Sequence, residues 1–237
     1  MSNLSDLERE VFALEVDNLL AISELTLLQE MRPLVERLLE EVDSLVETGN
    51  AITDQELERL VVPLNDTLAA GLEREMVGLQ VPLRQEAENW SPVVPDSEAP
   101  FSDGATLMRR AEMDGTSMAA WFRRRSPSQW MRGVMDELRK GIEAGWQRDR
   151  AGRASAAAGI QRLVTTAIET GIWSSSNGTL ERNWVSSDLG WYTRQDEQVC
   201  DVCRPLNGAQ ISTIGQRPPA HPRCRCVALP PRAAGSS

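Results

Sequence analysis

Cys200-Asp201-Val202-Cys203 and, further along, Pro218-Pro219-Ala220-His221-Pro222-Arg223-Cys224-Arg225-Cys226 hold all four cysteines and the single histidine of a 237-residue chain. Two cysteines separated by two residues can place both sulfurs on one side of a tight turn. A second cluster brought alongside completes a tetrahedral zinc site of thiolate and imidazole ligands. The pattern predicts a structural zinc knuckle. Five side chains compete for four places: Cys200, Cys203, His221, Cys224 and Cys226. In an extended strand Cys224 and Cys226 share a face, because side chains repeat every two residues. The spacing therefore favours Cys200, Cys203 and His221 with one of the last two cysteines, Cys226 slightly ahead of Cys224. The competing arrangement, two disulfides, needs an oxidising compartment. Met1-Ser2-Asn3-Leu4-Ser5-Asp6 has neither the basic start nor the apolar run of a secretory signal. A structural zinc contributes on the order of 10 kcal/mol to folding, so a short module can stand on a metal in place of a core.

The same stretch carries a resemblance. Trp191-Tyr192-Thr193-Arg194-Gln195-Asp196-Glu197-Gln198-Val199-Cys200-Asp201-Val202-Cys203-Arg204-Pro205-Leu206-Asn207-Gly208, followed by residues 218–226, resembles the signature of the phage Mu F-like minor head proteins, the phage head morphogenesis family. The likeness extends over residues 156–229 and is strongest from 191 onward. It implies a minor virion component present in few copies, associated with the portal vertex and acting in head assembly or in genome packaging and ejection. Its partners would be the portal protein and other head proteins, and its location the capsid interior near the portal vertex, with host cytoplasm during assembly. Two positions depart from the family pattern: Asn207 stands where Asp is usual, and Leu163-Val164-Thr165-Thr166-Ala167 replaces an upstream Arg-Thr-Glu helix.

Outward from this window, composition divides the chain. All seven Trp lie between Trp90 and Trp191, so the N-terminal arm must build its interior from Leu, Val and Met, and two kinds of core are expected. The net charge of −10 is uneven as well: residues 1–104 carry 6 basic and 23 acidic side chains, residues 105–155 carry 11 and 6, and the remainder 8 and 6. An acidic arm repels nucleic acid over a Debye length of about 10 Å, whereas a basic middle can neutralise phosphates or pair with an acidic protein surface. No run of apolar residues is long enough to span a bilayer. The sequons Asn65-Asp66-Thr67 and Asn177-Gly178-Thr179 are coincidental without a secretory signal.

From Leu4 to Val46, Leu4, Leu7, Val11, Leu14, Ala21, Leu25, Leu28, Val35, Leu39, Val42 and Val46 fit one heptad register, with Asn18 and Arg32 at the remaining seam positions. A polar residue at such a place fixes register or oligomeric state in a coiled coil, which makes the N-terminal helices a candidate homo-oligomer surface. Phe12, Val16, Leu20, Ile22, Leu27, Leu34, Leu38 and Leu45 widen the stripe, however, and a broad apolar face is the mark of a bundle helix. The bundle is the favoured reading. Pro33 is expected to kink or restart the helix, and Pro63 and Pro82 to interrupt or bend the next. Gly49-Asn50 supplies a stop, and Thr53-Asp54-Gln55-Glu56 has the spacing of a capping box. Residues 91–104, rich in proline, form the best linker.

Beyond the linker, Met108, Met113, Met118, Trp121 and Phe122 sit on expected helices, and Trp130, Val134, Leu138, Ile142 and Trp146 repeat every four residues as one core-facing stripe. Arg123-Arg124-Arg125 is the sharpest basic run, extended by Arg109, Arg110, Arg132, Arg139, Lys140, Arg148, Arg150 and Arg153. The bland reading is a solvated face balanced by Asp136, Glu137 and Glu143. The functional one is contact with a portal or with packaged double-stranded DNA, independent of sequence because nothing resembles a base-reading helix. Gly141 and Gly145, four apart, can permit close helix approach. A helix over 154–171 is expected to break at Ser174-Ser175-Ser176-Asn177-Gly178. Residues 191–193 and 210–213 suit short strands, with a tight turn of positive backbone angles expected at Asn207-Gly208. The residue before each proline is driven toward extended geometry, which presents His221 to the first knuckle.

The expected fold is mainly α: a long helical N-terminal arm and helical bundle, with a small α+β zinc-knuckle module at the C-terminus. The expected division is an acidic helical arm over 1–90, a Pro-rich linker over 91–104, a basic helical segment over 105–180, a zinc-knuckle module over 181–230 and a flexible tail over 231–237. Catalysis is not expected. Catalytic zinc keeps three protein ligands and a water, and five crowded candidates predict a closed shell. His221 is claimed by metal, so no imidazole remains for a triad. A zinc-stabilised nucleic-acid-binding regulator is the alternative, followed by a zinc hydrolase or toxin. The first lacks the usual ligand spacing on a recognition helix and conflicts with the overall acidity; the hydrolase conflicts with the closed shell, and a toxin domain of the kind some relatives carry after the knuckle would need more than the eleven residues that follow Cys226.

Overall fold

In the computed structural model, residues 6–49, 51–90, 129–146, 151–183, 189–193, 200–215, 218, 221 and 224–229 are described. Four long helices lead: α1 (Asp6–Glu47), α2 (Asp54–Trp90), α3 (Gln129–Glu143) and α4 (Ala151–Asn183). A small module follows, made of β1 (Gly190–Tyr192), a 3-10 turn (Arg204–Leu206), the one-turn helix α5 (Ile211–Ile214) and β2 (Val227–Leu229). The fold is therefore mainly α with a small α+β module. The linker 91–104, Arg123, Arg124 and Arg125, and the tail 231–237 lie outside the described residues.

The first connection follows its sequence signals. Gly49 adopts φ 71° after the helix ends at Glu47, and its N–H donates to the Val46 carbonyl at 3.1 Å. The capping box then closes reciprocally: Glu56 N–H donates to Thr53 Oγ1 at 3.3 Å, and Thr53 N–H donates to Glu56 Oε2 at 2.8 Å. The Thr53 N–H, together with the Thr53 hydroxyl that also donates to Glu56 Oε2 at 2.7 Å, holds the Glu56 carboxyl below its usual range. Gly71 lies against Leu27, and Arg74 donates to Glu30 at 2.8 Å, so α2 runs back along α1. Helix α4 packs against α1, α2 and α3, and α2 also meets α3.

A single apolar core joins all four helices. Leu20, Leu68, Val134 and Ile168, one from each, are fully buried in the same cluster, and Trp130, Trp146 and Trp173 belong to it too. Aromatic and aliphatic interiors therefore merge, where composition predicts two kinds of core. Buried indoles need a polar partner, and Trp146 Nε1 finds one in Asp43 on α1 at 2.6 Å. Close approach of α3 to α4 occurs at Gly141: a Cβ there would sit 2.6 Å from the Gly152 carbonyl oxygen. The partner of Gly141 is Gly152 on the neighbouring helix. Gly145 instead takes φ 93° just past the end of α3.

Several expectations fail for tertiary reasons. Of the outcomes expected at the prolines, restart or interruption does not occur: helicity persists through Pro33, Pro63 and Pro82, since burial on both sides of each proline outweighs one lost backbone bond. The heptad register is not the buried seam over the first half of α1. Phe12, Val16, Leu20, Leu27 and Met31 are buried, while Leu7, Leu14 and Leu25 are 74%, 44% and 59% exposed. Helix α4 runs unbroken across Ser174–Gly178. There Ser176 Oγ donates to the Ile172 carbonyl at 2.8 Å and Thr179 Oγ1 to the Ser175 carbonyl at 3.2 Å, so buried polar groups bond back along their own helix. Residues 211–214 are helical, not a strand. Gln210 alone bridges Gly190, and the strand that pairs β1 is β2, antiparallel with Trp191 opposite Ala228.

Candidate metal centre

The site is assembled on the edges of the small sheet. Thr193 directly follows β1, Cys226 directly precedes β2, and the Cys200–Cys203 knuckle lies between them in sequence. The knuckle is a tight turn: Cys203 N–H donates to the Cys200 carbonyl at 3.2 Å and approaches Cys200 Sγ at 3.3 Å, and Arg204 N–H also reaches the Cys200 carbonyl, at 3.0 Å. Pro205, second in the 3-10 turn that follows, enters it with φ already set. At Asn207-Gly208 the backbone takes φ −59°, ψ 124° and then φ 81°, closed by Ala209 N–H donating to the Leu206 carbonyl at 3.0 Å. This is a type II turn, in which only the glycine needs positive φ. It returns the chain to β1, where Gly208 N–H meets the Trp191 carbonyl at 2.8 Å and Trp191 N–H meets the Ala209 carbonyl at 2.7 Å.

All five sequence-predicted ligands converge. His221 Nε2 lies 2.9 Å from Cys200 Sγ and 3.2 Å from Cys203 Sγ, and Cys203 Sγ lies 3.6 Å from Cys224 Sγ. Two compact triads result, Cys200–Cys203–His221 and Cys203–Cys224–Cys226, sharing Cys203. Cys203, Cys224 and Cys226 are buried beside Trp191, while Cys200 and His221 are half-buried. Cys226 has a second neighbour, since its thiol donates to Thr193 Oγ1 at 3.7 Å. Thr193 Oγ1 in turn donates to the Cys203 carbonyl at 3.1 Å, and Thr193 N–H donates to Asn207 Oδ1 at 3.0 Å. An aspartate at position 207 would offer the same acceptor oxygen.

The electrostatics fit a cation. Burial pushes the Cys203 thiol up, and so does its neighbour Cys224. Cys226 is raised by its hydrogen bond with Cys224, by burial and by both nearby thiols. Partial burial would also raise Cys200, but donors from Cys203, from His221 and from the Val202 backbone outweigh it and hold the thiol below its usual value. Crowded thiols cannot all ionise together, and a bound divalent ion reverses that balance. One buried polar atom points the same way: Trp191 Nε1, in a fully buried indole packed on the cysteines, has no hydrogen-bond partner. Metal-bound thiolates are strong acceptors and are often steadied by such donors. Cys200, Cys203, His221, Cys224 and Cys226 can therefore hold a metal ion, which would crosslink the knuckle to the strand that returns the chain to α4.

The module is tied to the helices by side chains that sequence reading missed. Asn177, buried in α4, donates through Nδ2 to the Cys226 carbonyl at 2.9 Å and to the Trp173 carbonyl at 3.1 Å, and accepts at Oδ1 from Ala228 N–H at 3.0 Å. Arg225, between two candidate ligands, pairs with Asp17 on α1 at 2.6 Å. Tyr192 donates its hydroxyl to Glu10, and the Arg9 guanidinium lies 5.4 Å from the centre of the Tyr192 ring. Nothing in the local sequence marks Asn177 for this task, since its partners are 49 and 51 residues away. Trp191 and Asn207 stood inside the quoted signature, so a signal for them was present.

Arg139, Lys140 and Arg153, from the basic segment, pair with Asp54 at 2.8 Å, Glu137 at 2.7 Å and Asp43 at 2.9 Å. Two of these partners lie on α1 and α2, so basic charge of the middle offsets acid of the N-terminal helices. No helix among the described residues is long and apolar enough to cross a membrane. Compared with protein-family models, curated proteins and solved structures, the chain matches none.

Proposed function

We propose that this chain is a structural minor head protein of a tailed phage, associated with the portal vertex and acting in head assembly or in genome packaging and ejection. Its C-terminal module is closed by one zinc ion that performs no reaction. The observation that carries this reading is the convergence of Cys200, Cys203 and His221 in one triad and of Cys203, Cys224 and Cys226 in a second that shares Cys203, in the order of the signature quoted above. Cys224 or Cys226 supplies the fourth ligand, since both lie in one triad with Cys203. Four protein ligands fill a tetrahedral shell and leave no place for a reactive water, the condition of a structural site. Soft thiolates with one imidazole suit zinc. A rigid module of this kind offers a fixed docking surface for a portal, and Arg123, Arg124 and Arg125 add a basic contact for portal protein or for DNA without sequence preference.

Two measurements test the reading separately. Elemental analysis of anaerobically purified protein should return one zinc per chain, and a value near zero removes the metal. Co-sedimentation with purified heads should retain the protein with particles that carry a portal and release it from particles that lack one. Equal recovery from both kinds of particle would reject the portal assignment whatever the metal content.

A further inference from the structure

Helix α1 carries two apolar stripes, and the bundle uses only one. The inward stripe runs through Phe12, Val16, Leu20, Leu27 and Met31, all buried. The second contains Leu7, Leu14 and Leu25, at 74%, 44% and 59% exposure, with Ile22 beside them at 67%. On a wheel of about 100° per residue, Leu7, Leu14 and Leu25 fall within roughly 20° of one another. In one heptad frame Leu7 and Leu14 take d positions and Leu25 an a position, with exposed Asn18 at an a position and exposed Ala21 at a d position between Leu14 and Leu25. Half of the large apolar side chains exposed among the described residues lie on this one stretch of helix. A scattered exposed leucine needs no explanation, whereas a heptad row does.

We propose that this outer face of α1, from Leu7 to Leu25, pairs with the same face of a second copy as a short parallel coiled coil in register at Asn18. A heptad stripe complements another heptad stripe, and an asparagine at one a position is satisfied by the same asparagine across a two-fold axis. The flanking charges favour a second copy over a basic partner. On one flank Glu10 accepts from Tyr192, Asp17 pairs with Arg225, and Glu24 lies against Trp173, so these acids are turned to their own chain. The other flank holds Glu8, Glu15, Ile22 and Gln29, too few acids to guide a basic helix. Helix α1 is already ordered by the bundle, so pairing does not bear the cost of forming a helix that defeats short isolated coils. The inference does not depend on the metal or on a role in heads.

Sedimentation equilibrium of the full chain gives the test. Two acidic copies repel at a distance, so the dimer is expected to tighten from about 0.1 M to about 1 M salt as the Debye length shrinks. A complex held by opposite charges would loosen. Leu14→Glu with Leu25→Glu should weaken self-association about a hundredfold or more while helicity and melting stay unchanged, since both sites are exposed. Asn18→Lys, also at an exposed site, should give the same monomer by setting two ammonium groups face to face, and it decides the matter if the double variant loses helicity. A wild-type chain monomeric at high concentration in both salts overturns the proposal. So does a dimer that loosens with salt, or one that persists in Asn18→Lys.

Discussion

The four-helix body and the module of residues 189–229 are held by different forces, although one chain makes both. Helices α1 to α4 bury a continuous apolar core that includes Leu20, Leu68, Val134 and Ile168, and their stability scales with that area. Among its described residues the module has two three-residue strands, one 3-10 turn and one helical turn. The buried cluster at the metal centre consists of one tryptophan and three cysteines, while Tyr192, Val227, Ala228 and Leu229 belong to the core of the helices. Secondary structure this short does not persist alone. The comparison teaches that the module has two means of support: five clustered side chains that can hold a metal ion, and Asn177, Arg225 and Tyr192, which fasten it to α4 and α1.

The largest effect should come from removing the metal. Chelation is expected to cost on the order of 10 kcal/mol of the module's stability, seen as a shift in Trp191 emission and loss of near-ultraviolet dichroism, while helical dichroism from the four-helix body changes little. If helices and module melted together with unchanged midpoint in excess chelator, the two-force picture would be wrong. Next in size is the seam. Asn177→Ala leaves the Ala228 N–H and the Cys226 carbonyl buried without their partner, at about 2–4 kcal/mol. Hydrogen exchange should show Ala228 opening before any amide of α1 or α2, and equal protection in wild type and variant would place the fastening elsewhere.

Smaller again is a pH effect within the helices. Burial, then the neighbouring carboxylates Glu169 and Asp17, push Glu24 up to about 7, against partial relief from Trp173 and Arg225. In the unfolded chain this carboxyl ionises near 4.5. Between those two values the folded state binds the extra proton, so stability falls as pH rises from about 4.5 to about 7 and stays low above. Glu24→Gln removes that slope and should stabilise the protein at pH 8 by on the order of 2 kcal/mol after allowance for screening, with little change near pH 4. Chemical denaturation at both pH values checks it, and a wild-type slope retained in the variant assigns the effect to another group. At the small end, the ion pair of Arg74 with Glu30 joins two exposed side chains. Arg74→Ala should shift stability by less than about 1 kcal/mol. A larger loss in a melting experiment would show that surface charge, not core, binds α1 to α2.

Much of this was legible in the chain. The capping box at Thr53 and Glu56, the stop at Gly49 and the stripe from Trp130 to Trp146 are local signals, and local geometry obeys them. The five ligands were legible as a set because their chemistry is rare and their positions clustered. What failed was each reading that treated a segment by itself. Ser174–Gly178 has the composition of a break, yet tertiary burial supplies bonds that a solvated segment would lack. Residues 210–213 suited a strand, but the edge they would occupy admits only the bridge at Gln210.

By itself, then, the sequence determined that the chain is mainly helical, where its first two helices are punctuated, and which five side chains can ligate a metal, because periodicity, capping and ligand chemistry act over a few residues. Only the tertiary structure decided which of two apolar stripes on α1 is buried, that aliphatic and aromatic interiors join in one core, and that Asn177 and Arg225 dock the module. Those outcomes depend on which surfaces meet across dozens of residues, where burial and the pairing of buried polar groups outweigh local preference.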